Sequence, residues 1–451
     1  MTPSLGWLGI VRLGFVQAAI GGIVALTTST FNRVMVVEYG LAAAIPAGLV
    51  AWHYAIQLSR PRWGFDSDRG HRRTPWIMGG MAILALGAIV AANATILMKT
   101  APGPGLALGV AAFAMIGVGV GAAGTSLLAL MATSVAPARR PAAAAITWIL
   151  MIVGIVATAG IAGGMLDPFS EARLVQVAMG VAGVAFAISV VAVIGVERAR
   201  PTAAVARDSD KPDFAAAVRE IWAEPMARRF TVFVFVSMLA YSAQDLILEP
   251  FAGLMFGYTP GQSTQLAGVQ HMGVLLGMIL VGAFGGAVSK LGDGTGRAVW
   301  LRGWTIAGCL ASALALAGLG AAALVGGAWP LTPTVFALGF ANGVFAVAAI
   351  GSMMGLAGEG RGGREGMRMG LWGAAQAIAF GLGGFLGAVA VDVLRAVTHS
   401  NATAFLAVFV AEGALFLVAA HLASRVGASP HAAEAPSRVA QSPLGQAQIG
   451  T

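Results

Sequence analysis

Apolar stretches of 18 residues or more recur about a dozen times along this chain, and each is long enough to cross the hydrocarbon core of a bilayer. A water-soluble fold built from so many such stretches would expose large apolar patches, so that class is excluded. Composition agrees: 58% of the 451 residues are hydrophobic and 10% are charged, with a mean hydropathy of +0.82. The 63 glycines would weaken soluble helices, but in membranes small residues let helix backbones approach closely.

Counting the apolar runs predicts twelve transmembrane helices, near residues 10–37, 41–59, 76–98, 104–134, 143–165, 174–196, 229–256, 265–288, 301–325, 331–356, 369–393 and 403–424. The predicted organisation is a six-helix half over 1–197, a linker over 198–228, a second six-helix half over 229–425 and a disordered tail over 426–451. The linker carries Pro201, Asp208, Asp210, Lys211 and Pro212, and its 214–222 portion has the pattern of an interfacial amphipathic helix. The tail is rich in Ala, Ser, Pro and Gln and has too few large apolar residues to fold. The first run is too long for a signal-peptide core and no small-residue cleavage site follows it, so it reads as a retained helix.

The formal charge of +8 does not point to nucleic acid, because the basic residues are scattered in short runs between apolar stretches. All but four of the 27 Lys and Arg (Arg33, Lys99, Arg173 and Arg395) fall on the N-terminus, the even-numbered loops or the tail. The positive-inside rule then places both termini in the cytoplasm. Cys309 is the only cysteine, so no intrachain disulfide forms.

An internal repeat relates the halves. Arg140, Trp148 and Asp167 recur as Arg364, Trp372 and Asp392 at offsets of 224 to 225, and Asp68 recurs as Asp293. Inverted or parallel repeats of this kind are how many transporter folds are built.

The loop after the second run, Arg60-Pro-Arg-Trp-Gly-Phe-Asp-Ser-Asp-Arg-Gly-His-Arg-Arg-Thr74, resembles the signature between helices 2 and 3 of the major facilitator superfamily. Gly64, Asp68, Arg69, Gly70, Arg72 and Arg73 carry the resemblance. Such a carboxylate can pair with Arg or a helix N-terminus and latch two halves in one state; a positive-inside loop without a latch would look similar. The resemblance implies an all-α membrane protein of twelve helices in two pseudo-symmetric six-helix halves.

Ionisable residues inside a membrane are costly and are functional candidates. Asn32, Arg33 and Glu38 lie toward the end of the first helix, and Asp245 and Glu249 lie in the matching part of the seventh. Regular α-helical winding separates Arg33 from Glu38 by about 140°, so Arg33 is expected to pair with Asp245 or Glu249. Glu412 stands near the middle of the twelfth helix. His53 and His271 are intramembrane imidazoles that could ligate a pigment magnesium or bond a neighbouring backbone group. The chain shows no phosphate-binding loop, dinucleotide fingerprint or Cys/His set at metal spacing. No catalytic residue, metal or nucleotide cofactor is therefore expected, and the chain does not read as an enzyme.

The stretch Thr28-Ser-Thr-Phe-Asn-Arg-Val-Met-Val-Val-Glu38 resembles the helix 1 signature of the PucC family, bacteriochlorophyll-delivery members of the major facilitator superfamily, with Phe31 where that family has Leu. With Trp52–Gly64 and Arg72–Ile77, the first hundred or so residues are similar to the branch labelled a chain of bacteriochlorophyll synthase. The resemblance implies delivery of bacteriochlorophyll during assembly of light-harvesting complexes, in the inner or intracytoplasmic photosynthetic membrane. Bacteriochlorophyll would be bound cargo, with His53 a candidate magnesium ligand; the synthase and antenna polypeptides are the implied partners besides the lipid bilayer. The alternatives are a proton-coupled small-molecule transporter using Asp245, Glu249 or Glu412, and an assembly factor that carries no pigment.

Overall fold

Within hydrocarbon, every backbone N–H and C=O must find its partner inside the chain, which leaves helices as the natural solution for runs of this length. The computed structural model describes residues 5–59, 72–136, 139–197, 222–288, 294–358 and 365–425. The proposed linker (apart from 222–228) and the tail lie outside these residues. Twelve long helices occur among them. The first half comprises α1 (Trp7–Glu38), α2 (Ala44–Gln57), α3 (Thr74–Thr100), α4 (Pro102–Ser134), α5 (Arg140–Met165) and α6 (Glu171–Val193). The second comprises α7 (Pro225–Phe256), α8 (Pro260–Val288), α9 (Gly294–Val325), α10 (Leu331–Gly358), α11 (Glu365–Thr398) and α12 (Asn401–Arg425).

Among the described residues, eleven spans are long and apolar enough to cross a membrane; α2, at 14 residues, is shorter than a full crossing. The helix order matches the sequence expectation, while several ends extend beyond it. Helix α9 starts at Gly294 rather than near 301, and α11 covers Glu365–Thr398 rather than 369–393. Polar and glycine residues at these ends do not extend the apolar run, yet their backbones continue the helical hydrogen bonding.

The packing shows the two-fold relation directly. In the first half α1 lies against α5 and α6, α3 against α4 and α6, and α2 against α4; in the second, α7 lies against α11 and α12, α9 against α10 and α12, and α8 against α10. The contacts between halves obey the same relation, α2 with α11 and α5 with α8. Small residues set the spacing within each half. At Gly154 a β-carbon would sit 2.2 Å from the Ala18 carbonyl oxygen, so only glycine allows α1 and α5 to approach this closely.

Short turns join α1 to α2, α3 to α4, α5 to α6, α7 to α8, α9 to α10 and α11 to α12 at one end of the bundle, opposite the start of α1 and the end of α12; this is called the far end below.

Candidate functional site

The site begins with an irregularity in α1. Its backbone widens into π-helical winding over Leu26–Thr30 and again over Val34–Glu38, and the Tyr39 N–H reaches back five residues to the Val34 carbonyl at 3.2 Å. Winding of this i→i+5 kind brings residues five apart onto one face. Arg33 therefore forms its ion pair with Glu38 on its own helix. The expected pairing of Arg33 with Asp245 or Glu249 is corrected by this: the 140° separation held only for uniform α-helix. Glu249 still stands close enough to Arg33 to feel its charge.

A second irregularity lies opposite, in α7. Pro250 sits inside that helix and has no N–H, so the Leu246 carbonyl four residues earlier loses its intrahelical donor. Asn32 supplies the replacement: its Nδ2 donates to the Leu246 carbonyl at 2.6 Å. The Arg33 guanidinium, only 2% exposed, also crosses between halves and donates to the Tyr258 carbonyl just past α7. Gly253 leaves room for it, since a β-carbon there would lie 3.1 Å from the Arg33 Nη2. One turn earlier along α1, the Thr30 and Thr264 hydroxyls bond across the halves at 3.0 Å, and Thr264 donates a long bond of 3.5 Å to Glu249.

Asn32 and Arg33 thus act as a clamp between the far portions of α1 and α7, with Glu38 orienting the guanidinium. Signals for it were present in the sequence as Glu249-Pro250, but only the structure pairs that proline with Asn32. Glu249 is buried, and its Oε1 has no hydrogen-bond partner. It borders a cavity of about 10 Å³ together with Ser29, Thr30, Thr158, Thr264 and His271. That space holds about one water, whereas ligand pockets run to roughly 300–1,000 Å³. With the halves in this arrangement, a tetrapyrrole does not fit this cavity.

The histidines differ. His53 is 1% exposed, and its Nε2 lies 2.7 Å from the Gln57 amide on the same helix; burial closes off approach by a pigment from the lipid. His271 Nδ1 bonds the Ala267 carbonyl at 2.9 Å, so the neutral ring donates from Nδ1 and leaves Nε2 as an acceptor. Asp245 is half-buried and near enough to Glu412 to act on it electrostatically. Glu412 is 3% exposed, turned into the second half with neither carboxylate oxygen bonded.

Of the loop motif, Gly64, Asp68, Arg69 and Gly70 lie outside the described residues. Arg72 is exposed and Arg73 buried. A residue missed in the sequence appears here: the Glu197 carboxylate accepts from the Arg73 N–H at 2.7 and 2.9 Å and from the Thr74 N–H at 2.7 Å. It caps the N-terminus of α3, where a negative charge is favoured. At the far end, Lys99 pairs with Glu171 at 2.8 Å and lies 5.6 Å from the Tyr39 ring centre. Burial, with the nearby Glu171 and Glu38 charges, pushes the Tyr39 phenol from 10.0 up to about 12.

Two six-helix halves related by a pseudo-two-fold axis define a membrane protein of the major facilitator type. Solved structures agree on that fold: a bacterial homologue of the human lysosomal transporter Spinster aligns with a TM-score of 0.67 at 16% identity, covering 93% of this chain and 96% of that one. The peptide transporter POT gives a TM-score of 0.66 at 12% identity, covering 94% and 97%. The family model described as PUCC protein matches residues 30–430, and the chain belongs to the PucC family. The "Bacteriochlorophyll synthase 44.5 kDa chain" of Rhodobacter capsulatus is 53% identical, over 97% of this chain and 99% of that protein. "Protein PucC" of Rhodobacter capsulatus is 27% identical, over 86% and 84%.

Proposed function

We propose that this multi-pass membrane protein handles bacteriochlorophyll without catalysing its synthesis, accepting the pigment from its synthase and passing it to antenna polypeptides as light-harvesting complexes assemble. The observation that carries this reading is full-length likeness to the 53%-identical relative named for bacteriochlorophyll. The geometry supports a non-catalytic role: Asn32 Nδ2 and the Arg33 Nη2 bond backbone carbonyls across the halves, and Arg33 Nη1 holds Glu38 on its own helix. They do not converge on a substrate-sized pocket. Since the cavity beside Glu249 has room for about one water, pigment is held either on lipid-facing helix surfaces or between halves once they part. Charge placement supports cytoplasmic termini, and the relative named for bacteriochlorophyll supports an inner or intracytoplasmic photosynthetic membrane.

Purification from a pigmented host, with pigment quantified per protein and partners identified by mass spectrometry, tests the reading. Bound bacteriochlorophyll with synthase or antenna polypeptides is the expected result; homogeneous protein without pigment contradicts delivery. A second reading, proton-coupled transport, draws on the Glu249 carboxylate and His271 sharing one cavity with Ser29, Thr30 and Thr264. It requires solute flux in vesicles that Glu249→Gln abolishes.

A further inference from the structure

Four cations depart from the positive-inside pattern, and three of them are engaged. Arg33 pairs with Glu38, Lys99 pairs with Glu171 at 2.8 Å, and the Arg173 guanidinium donates to the Pro168 carbonyl at 3.0 Å. Arg395, in the last turn of α11, is the exception. It is half-buried, and its side chain has neither an ion pair nor a hydrogen bond with any described residue. A guanidinium that has lost part of its water and has no carboxylate of its own is favourably placed to take an external anion.

Arg395 borders a far-end cleft of about 480 Å³, a size within the range of small-ligand sites. Gly40, Leu41 and Ala42 of the α1–α2 turn form one wall, and the end of α11 with the start of α12 forms the other. The His399 N–H closes α11 by bonding the Arg395 carbonyl at 2.9 Å, and His399 takes a left-handed conformation with φ of 53°, a common way to end a helix. That turn brings Arg395, the exposed His399 ring and Asn401 to one cleft. None of these three side chains has a hydrogen-bond partner among the described residues. The one carboxylate lining the cleft, Asp392, is engaged elsewhere: it accepts from the Ala44 N–H at 2.7 Å, at a helix N-terminus whose partial positive charge offsets it. The unengaged polar side chains can all donate, which suits phosphate oxygens rather than a cation.

We propose that this cleft binds the phosphodiester of a phospholipid from the leaflet at the far end. The Arg395 fork holds two phosphate oxygens, and His399 and Asn401 donate to the headgroup from the turn into α12. The acyl chains have a track beside it. Ile378, Leu382, Leu386, Val393 and Val397 are exposed and fall within about 100° of one another around α11, in a stripe that runs along the helix to its far end. Ala396 stands at the edge of that stripe and also lines the cleft, so headgroup and chains meet one continuous surface. Free phosphate shares the headgroup chemistry but gains nothing from the stripe. The site rests on the fold and stands whether the cargo is pigment or a small solute.

The test uses the full chain, delipidated in detergent and titrated with phosphatidylglycerol or with the diacylglycerol of the same chains, with bound lipid counted by native mass spectrometry. Arg395 holds nothing else in the chain, so Arg395→Gln keeps the fold. It should weaken the tightest phosphatidylglycerol site about tenfold, the loss expected for a charged phosphate contact. Diacylglycerol, which lacks phosphate, should bind both proteins alike. Ala396→Glu leaves Arg395 in place and sets a carboxylate in the cleft, so it should weaken the same site. Arg173→Gln removes a far-end charge outside the cleft and should bind as the wild type does. Equal phosphatidylglycerol affinity in wild type, Arg395→Gln and Ala396→Glu would overturn the proposal. So would an equal loss in Arg173→Gln, which would mark diffuse charge attraction. Displacement of the lipid by equimolar inorganic phosphate would overturn the lipid source and assign the cleft to free phosphate.

Discussion

Replacing Asn32 by Ala removes the donor that serves the Leu246 carbonyl, and Pro250 ensures that no N–H on α7 takes its place. A buried carbonyl left without a donor costs about 1–3 kcal/mol, although hydrogen bonds between membrane helices average about 0.6 and reach about 1.7 kcal/mol. An opposing effect comes from the same side chain. Asn32 Oδ1 is buried without a partner, and its removal returns part of that cost. The single variant should therefore lose only about 1 kcal/mol. Pro250→Ala restores an N–H in register with Leu246 and makes Asn32 redundant. Asn32→Ala should then cost less in the Pro250→Ala background than in the wild type, with a coupling of about 1 kcal/mol. Steric-trapping measurements of unfolding in bicelles on all four proteins supply the cycle. Additivity within about 0.3 kcal/mol would show that the bond does not compensate for the proline.

Arg33→Lys should destabilise despite keeping the charge, because one ammonium cannot hold both Glu38 and the Tyr258 carbonyl as the guanidinium fork does; thermal unfolding in detergent should place Arg33→Ala lower still, by about 1–3 kcal/mol, because the Tyr258 carbonyl loses its donor while the half-buried Glu38 stays hydrated. Gly253→Val should push the guanidinium off Tyr258 and cost about 1–3 kcal/mol, read in the same assay. His53→Leu should leave pigment content per protein unchanged, since His53 is buried beside Gln57; loss of pigment in a well-folded variant would restore it as a ligand. The Tyr39 phenol is raised from 10.0 to about 12 in the folded chain, so the folded state holds that proton more tightly. Its contribution is complete below pH 10 and is lost as pH climbs toward 12, and Tyr39→Phe should flatten that part of the stability profile.

Helix number, order and pseudo-symmetry were legible because each crossing must be a long apolar run, and that requirement is written residue by residue. The candidate residues on α1 and α7 were legible for a related reason: intramembrane polar groups are few and costly. Their partners were not. Assigning Arg33 to the opposite helix assumed 3.6 residues per turn, and the π-helical segment through Val34–Glu38 broke that assumption. Pro250 was visible, but its link to Asn32 depends on which helices meet and at what height. Glu197 as the α3 cap was hidden for the same reason, 123 residues from its partner Thr74. Asp167 and Asp392 stand out in the sequence as a repeat, but the helix that each one meets follows from the packing alone.

The most direct test of pigment handling is transfer itself. Vesicles containing the purified protein loaded with bacteriochlorophyll are mixed with antenna polypeptides, and the absorption shift that accompanies assembly is followed over time. The proposed function requires transfer faster than from protein-free vesicles holding the same pigment. Equal rates with and without the protein would contradict it.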